Sequence, residues 1–363
     1  MKVIAFYLPQ FHEIEENNKW WGKGFTEWTN TKKSIQLFKG HYQPREPLND
    51  FYYNLLDPKT REWQAELAKK YGIYGFCYYH YWFKGKKLLE KPAEEILKLK
   101  SPKLPFCFSW ANEPWTRAWD GREKEVLMPQ DYGDKNDWVE HFNYLLPFFK
   151  DERYIKIDNK PMFLIYRSAS IPCCDEMIEL WNDFAVKNGF NGIYFIKTLN
   201  SFEIDTKNKN FNAQVEFEPM FTLVHDYGVS KKIIRKMKSL LRNSINFKNY
   251  LFLNIEDYDY VWQRIIKRKR NYQLTTYLGA FVDWDNSPRK GTKATIFKGS
   301  NPEKFKNYFK EQVKKSKQNG TEFLFINAWN EWAEGTYLEP DKKYGFAYLE
   351  AIKEVLLEHE QNK

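Results

Sequence analysis

Phe323-Leu324-Phe325-Ile326-Asn327-Ala328-Trp329-Asn330-Glu331-Trp332-Ala333-Glu334-Gly335 opens as an unbroken apolar run and turns abruptly into amides, indoles and two glutamates. An apolar run without alternation is what a parallel strand requires when both of its faces are covered. The polar residues behind it then mark a rim where the strand stops. Seven further runs share this character, at 3–8, 73–79, 104–110, 161–166, 192–197, 214–218 and 278–283. Helical signatures lie between several of them. Asp57-Pro58 supplies an N-cap and a first-turn proline, Trp63, Leu67 and Tyr71 share a stripe, and Gly72 closes the element. Asn301-Pro302 opens another with Phe305, Phe309 and Val313 on one side, and a last helix carries Phe346, Leu349, Ile352 and Leu356. Eight strand–helix units predict an α/β fold, a (β/α)8 TIM barrel built as one domain over 1–363, with the first and last strands paired. A doubly wound open sheet is the alternative, but no G-x-G-x-x-G follows any strand, and there is no P-loop.

The chain has 363 residues, 42% apolar and 29% charged, a composition of globular proteins that leaves little room for long disorder. No apolar stretch reaches the roughly 18–20 residues of a membrane span. The opening MKVIAFYLPQFH passes directly into strand-like sequence without a signal-peptide core, so the expected location is the cytoplasm. Cys77, Cys107, Cys173 and Cys174 have no zinc-site spacing and fit a reduced compartment. Aromatics are abundant: 14 Trp, 24 Tyr and 29 Phe.

The net charge of +9 is local. Residues 230–272 hold 12 Lys/Arg against 3 acids, which leaves 45 of each sign in the rest of the chain. Within that stretch Ile233, Ile234, Met237, Leu240 and Leu241 recur at helical spacing among lysines, as do Tyr258, Val261, Trp262, Ile265 and Ile266. Residues 225–275 are therefore expected to form a basic, mainly helical insertion between strands six and seven. It reads as a solvated excursion, or as a docking face for an anionic glycan or for an anionic membrane surface, the latter placing the protein peripherally at the inner membrane. Nucleic acid is not expected as a partner.

Barrel active sites form where strands end, which directs attention to Tyr7, Gln10 and His12; Tyr79 and His80; Trp110, Asn112, Glu113 and Trp115; Glu216 and Glu218; Asp283 and Trp284; and Asn330, Glu331, Trp332 and Glu334. Carboxylates move protons, amides and imidazoles bond hydroxyls, and indole faces stack on sugar rings. That mixture suits an uncharged polyol and not a phosphate, which calls for glycine-rich loops or arginine clusters. Glu331 and Glu334 are three residues apart, close enough on a helical turn to face one cavity. Glycoside chemistry needs two such carboxyl groups, one protonated and one ionised. The same spacing also describes a helix N-terminus decorated with acids.

The stretches 20–30 (WWGKGFTEWTN, including Trp28), 40–44 (GHYQP), 75–82 (GFCYYHYW) and 327–335 (NAWNEWAEG) resemble the WbsX-like family, whose members typically sit in bacterial surface-polysaccharide gene clusters and are labelled glycosyltransferases. Pro114 departs from the asparagine expected there. The last motif also resembles that of glycoside hydrolase family 99, the endo-α-mannosidases and mannanases, which are (β/α)8 barrels. This resemblance implies that Glu331 takes the proton of the sugar's own 2-hydroxyl, giving a 1,2-anhydro sugar, while Glu334 protonates the departing oxygen and later activates water. It implies retention, without metal or cofactor. The expected function is thus a retaining, endo-acting enzyme that cleaves or transfers an α-glycosidic bond in a bacterial surface polysaccharide or its precursor. Two alternatives stand beside it. One is a glycosyltransferase of O-antigen assembly using an activated donor, supported by D-x-D at Asp283–Asp285 and Asp257–Asp259; the other is a glycan-binding protein without catalysis. Tyr7, His12, Trp28, Tyr79, His80, Trp110, Asn112, Glu113, Trp115, Asp283, Trp284, Asn330 and Trp332 are the expected sugar contacts.

Overall fold

The computed structural model describes residues 1–117, 122–202, 210–244, 253–270 and 273–361. Each apolar run becomes a strand: β1 (Lys2–Tyr7), β2 (Ile73–Phe83), β3 (Phe106–Trp110), β4 (Lys160–Ile165), β5 (Tyr194–Leu199), β6 (Ala213–Glu216), β7 (Thr275–Phe281) and β8 (Phe323–Asn327). They pair in parallel in the order β1-β8-β7-β6-β5-β4-β3-β2, and β2 returns to β1, with Ile4 opposite Phe325 on one side and Ala5 opposite Phe76 on the other. The result is a closed eight-stranded barrel of the TIM type, with no free edge among these strands.

Helices cover the outside of the barrel. The main ones are α1 (Glu27–Lys33), α2 (Pro58–Lys70), α3 (Lys91–Leu99), α4 (Lys135–Lys150), α5 (Cys174–Lys187), α6 (Met220–His225), α7 (Val229–Ser244), α8 (Tyr258–Lys267), α9 (Pro302–Gln318) and α10 (Ala347–Gln361). The caps are those the sequence predicts. Asp57 accepts from the Lys59 N–H, and Asn301 accepts from the Lys304 N–H at 2.9 Å, so each satisfies a first-turn donor that the helix itself cannot. The stripe Phe305, Phe309 and Val313 of α9 is fully buried, which drives that helix onto the sheet.

Strand period two decides what can reach the site. Along β2, Tyr79 and Tyr81 turn into the barrel, while Tyr78, His80 and Trp82 turn out to the helices. Inside, Phe6 packs against Tyr79, Phe217 and Phe325 at centroid distances of 5.9, 5.1 and 5.6 Å. This aromatic plug fills the barrel below its C-terminal rim, so that only the rim is left hollow.

The insertion between β6 and β7 contains α6, α7, the short strand Asn254–Asp257 and α8. That strand pairs in parallel with Thr295–Lys298. Helix α8 buries Tyr258, Val261, Trp262 and Ile265, with Trp262 stacked between Phe281 and Tyr308 at 5.0 and 5.4 Å. Among the described residues no helix is long and apolar enough to cross a membrane.

Candidate active site

Beyond β8 the chain makes a two-residue antiparallel ladder, with Asn330 opposite Tyr337 and Glu331 opposite Thr336, closed by one 3₁₀ turn over Trp332–Glu334. The turn ends at Gly335 with φ +64°, in the left-handed region. A Cβ there would lie 2.9 Å from Asp285 Cβ and 3.0 Å from Arg45 Cζ, so glycine is required by conformation and by space. The turn is anchored from three sides. Asn330 accepts from the Leu8 N–H at 2.8 Å and donates to the Leu8 carbonyl at 3.0 Å, tying it to the end of β1. Glu339 accepts from the indole N–H groups of Trp332 (2.7 Å) and Trp329 (3.0 Å), from Gln64 (2.7 Å) and from the Tyr53 hydroxyl (2.8 Å). Arg45 donates to the Gly335 carbonyl at 2.9 Å.

So held, Glu331 and Glu334 meet a single guanidinium. Arg289 donates to Glu334 at 2.6 Å and to Glu331 at 3.1 Å, and its third carboxylate partner is Glu27 at 2.8 Å. Glu27 begins α1, and the same oxygen accepts from the Ala333 N–H at 2.9 Å. Three carboxyl groups on one guanidinium cannot all stay ionised away from water. Burial is the main force raising the Glu331 carboxyl well above its ordinary range; Arg289 opposes it, and Glu334 and Glu27 reinforce it. Burial likewise raises Glu27 against the pull of Arg289.

Above these groups lies a cavity of about 540 Å³. Tyr79, Tyr81, Tyr166, Phe217 and Trp284 form aromatic walls, Trp21, Trp115 and Phe202 stand further out, and Glu331, Glu334, Glu113 and Arg289 supply the polar groups. Glu113 pairs with Arg167 at 3.3 Å, and Arg167 in turn covers the Phe202 ring at 4.0 Å. A space of this size lined by rings and carboxyls offers faces for C–H bonds and acceptors for hydroxyls, the chemistry that a saccharide presents.

Of the expected contacts, Tyr79, Glu113, Trp115, Trp284, Glu331 and Glu334 converge on the cavity. The others lie elsewhere, for identifiable reasons. Tyr7, His80 and Trp110 are on the outward phase of their strands. The Tyr7 hydroxyl donates to Gln64 at 2.6 Å, His80 faces His141 at 2.7 Å between nitrogens, and Trp110 packs edge-on against His141. Burial pushes His80 down to about 3 and His12 to about 4, so both are neutral core imidazoles. Trp28 and Trp332 are packed on each other at 5.2 Å, and the Trp28 N–H is committed to the Tyr53 carbonyl. Asn330 is spent on Leu8. Asn112 acts at one remove, since it accepts from the Arg167 N–H at 2.8 Å and donates to the Arg167 carbonyl at 2.9 Å. Asp283 is bound to Arg45 at 2.7 Å, and Asp285 to His41 (2.7 Å) and Gln43 (2.8 Å). Glu216 and Glu218 are sealed with Arg268 and Arg270 beneath the insertion.

Glu27, Tyr81, Tyr166 and Arg289 join the site without standing among the residues that the sequence singles out. Continuing the phase from Tyr79 would have given Tyr81, and Glu27 is the acid within the tryptophan-rich 20–30 motif. Arg289 follows β7 by eight residues and carries no spacing signal.

The family described as glycosyltransferase WbsX matches residues 3–352. Two curated relatives, both named WxcX and described as uncharacterized, from two strains of Xanthomonas campestris pv. campestris, are 35% and 34% identical over 360 residues, 98% of this chain and 49% of theirs. The chain thus spans about half the length of the curated relatives it matches. Among solved structures, a GH99 endo-α-mannosidase from Bacteroides thetaiotaomicron overlays with a TM-score of 0.56 at 14% identity, covering 99% of this chain and 97% of that one. A glycoside hydrolase-like protein overlays with a TM-score of 0.58 at 12% identity, covering 98% and 93%. At such identities the likeness is one of fold.

Proposed function

The chain belongs to the WbsX glycosyltransferase family, and from that premise we propose that this carbohydrate-active enzyme cleaves or transfers an α-glycosidic bond with retention, using Glu331 and Glu334 as the reacting carboxyl groups. The observation that carries the reading is the pair itself: two carboxyls on one guanidinium at the floor of an aromatic cavity. Glu331 takes the proton of the sugar 2-hydroxyl as that oxygen attacks C1, while Glu334 gives a proton to the leaving oxygen. Water, deprotonated by Glu334, or an acceptor hydroxyl then opens the anhydro ring, and Glu331 returns its proton to O2. Two inversions give net retention. Burial gives Glu331 a high proton affinity, which suits a group drawing on a weakly acidic hydroxyl, and Arg289 opposes burial without overcoming it. The glycosyltransferase family and the fold shared with an endo-α-mannosidase support a glycan substrate, and we read it as a bacterial surface polysaccharide or its precursor, cleaved or transferred internally.

Transfer from a nucleotide-activated donor is less well supported. Asp283 and Asp285 turn to Arg45, His41 and Gln43, and Asp257 caps α8. The test offers α-linked oligosaccharides to wild type, Glu331→Gln and Glu334→Gln, with and without nucleotide sugars and Mn²⁺. Cleavage that needs neither, and falls about a thousandfold in both variants, is expected. Turnover that depends on a sugar nucleotide would replace this reading with the transferase, and glycan binding without turnover by all three proteins would leave a lectin.

A further inference from the structure

Helix α7 is turned the wrong way for a helix packed on a barrel. In α9 the apolar stripe is buried and the lysines face water. In α7, Val229, Ile233 and Met237 recur every four residues with Ile234 beside them, and they are 74, 54, 56 and 49% exposed. The side turned toward the protein is the basic one: Arg235 reaches Thr295 at 3.4 Å and approaches Glu256 at 3.8 Å. Lysines border the stripe on both edges, Lys232 and Lys236 on one, Lys231 and Lys238 on the other. On the inner edge Lys231, Ile234, Arg235 and Lys238 line a second cavity of about 470 Å³, whose other side carries Glu256, Asp257 and Asp259 beside Lys298 and Lys304, so the uncompensated lysines lie along the outer stripe.

We propose that α7 is a docking helix for an anionic lipid surface, lying in the headgroup plane with Val229, Ile233, Ile234 and Met237 inserted and its lysines among the lipid phosphates. Charge decides between the possible covers. The centre of a protein–protein interface is poor in lysine, because covering an ammonium strips its water. An interfacial membrane helix has the opposite composition, an apolar stripe edged by lysines that stay at the headgroups. The helix also belongs to the loop that follows β6, at the end of the barrel where the cavity opens, and Met220, which lines that cavity, stands nine residues before Val229. Docking by α7 therefore brings the cavity mouth to the membrane side, as a lipid-borne glycan would require.

The experiment is co-sedimentation of the full chain with phosphatidylcholine vesicles, alone or mixed with phosphatidylglycerol. Binding is expected to the mixed vesicles only and to weaken with salt. Ile233→Ser/Met237→Ser and Lys232→Glu/Lys236→Glu should each reduce partitioning at least roughly tenfold, with melting temperature unchanged because these side chains are exposed. Failure to sediment with either vesicle, or equal sedimentation of the variants, overturns the proposal. A doubled mass in solution that Ile233→Ser/Met237→Ser returns to the monomer value assigns the stripe to a second copy and overturns it as well.

Discussion

Two strand ends of this barrel carry paired glutamates met by arginine, and they are built to opposite purposes. At β6, Glu216 takes the fork of Arg270 through two bonds of 2.8 Å and also meets Arg268 at 2.9 Å, while Glu218 takes Arg268 and the Thr222 hydroxyl. Arg268 also meets Asp226 at 3.2 Å, and Asp226 takes Arg264, so three guanidinium groups answer three carboxylates around the fully buried Glu216 and Glu218. Burial pushes both glutamates upward; at Glu216 the two arginines outweigh it and hold the carboxyl below the ordinary value, whereas at Glu218 burial and the neighbouring Glu216 charge outweigh Arg268 and leave it raised. At β8 one guanidinium serves Glu27, Glu331 and Glu334, and burial wins at Glu331. Balance closes the first cluster into structure. The second is short of positive charge and lines a cavity, so the carboxyls that burial raises there are within reach of a ligand. A pair of acids at a strand end is thus not in itself a catalytic signal; the ratio of carboxylates to cations and access to a cavity decide together.

The sharpest way to break this contrast is to remove one negative charge from each cluster. Glu216→Gln leaves two buried guanidinium groups undercompensated and is expected to cost about 3–5 kcal/mol in denaturant titrations, with kcat of the remaining folded protein near wild type. Glu331→Gln is expected to do the reverse, lowering kcat about a thousandfold while leaving stability at neutral pH equal or higher, because it removes a carboxyl that burial disfavours in its charged form. If both variants lost stability alike and Glu331→Gln kept its turnover, the distinction would fail.

The barrel was legible because strands covered on both faces must be apolar on both faces, and eight such runs are hard to produce otherwise. The site was legible where one turn carries both acids, at Glu331 and Glu334, and illegible where phase matters. Tyr79 and His80 cannot both face the bowl, and nothing in YYHYW announces which does until β2 is paired with its neighbours. Tryptophan misleads for a related reason. Trp28, Trp110 and Trp332 use the same ring faces and N–H groups to pack a core that Trp115 and Trp284 use to line a cavity. Arg289 is out of reach of local reading because its partners lie 42, 45 and 262 residues away.

Glu339 is an intermediate case that sharpens the comparison. It is fully buried and accepts four hydrogen bonds from neutral donors, and burial pushes its carboxyl from 4.5 up to about 7. A carboxyl raised on folding adds stability that is fully present below 4.5 and lost as pH rises through about 7, a loss of about 3 kcal/mol from this group. Glu339→Gln should be less stable at low pH, because its amide N–H₂ meets donors only, and its stability should no longer fall across that window. Subtracting the two pH–stability curves isolates the group; a flat difference would show that the proton is not held there.

The smallest expected effect tests the charge ratio inside the β8 cluster itself. Arg289 lowers the proton affinity of Glu331, whereas Glu27 raises it. Arg289→Lys replaces a fork by a point charge that cannot serve three carboxylates at once, so Glu331 should bind its proton more tightly. If Glu331 must be ionised to accept the 2-hydroxyl proton, the acid limb of kcat/KM then moves to higher pH, by about one unit. Glu27→Gln should move the same limb the other way. Its Oε1 can still accept from Arg289 and Ala333, and its Oε2 has no hydrogen-bond partner among the described residues, so the isosteric amide removes charge without removing a bond. Opposite displacements from two substitutions on either side of one carboxyl are what a shared proton demands. Displacement in the same direction would mean that the limb belongs to another group, with Glu113 the first to examine, since burial raises it too and it lines the same cavity.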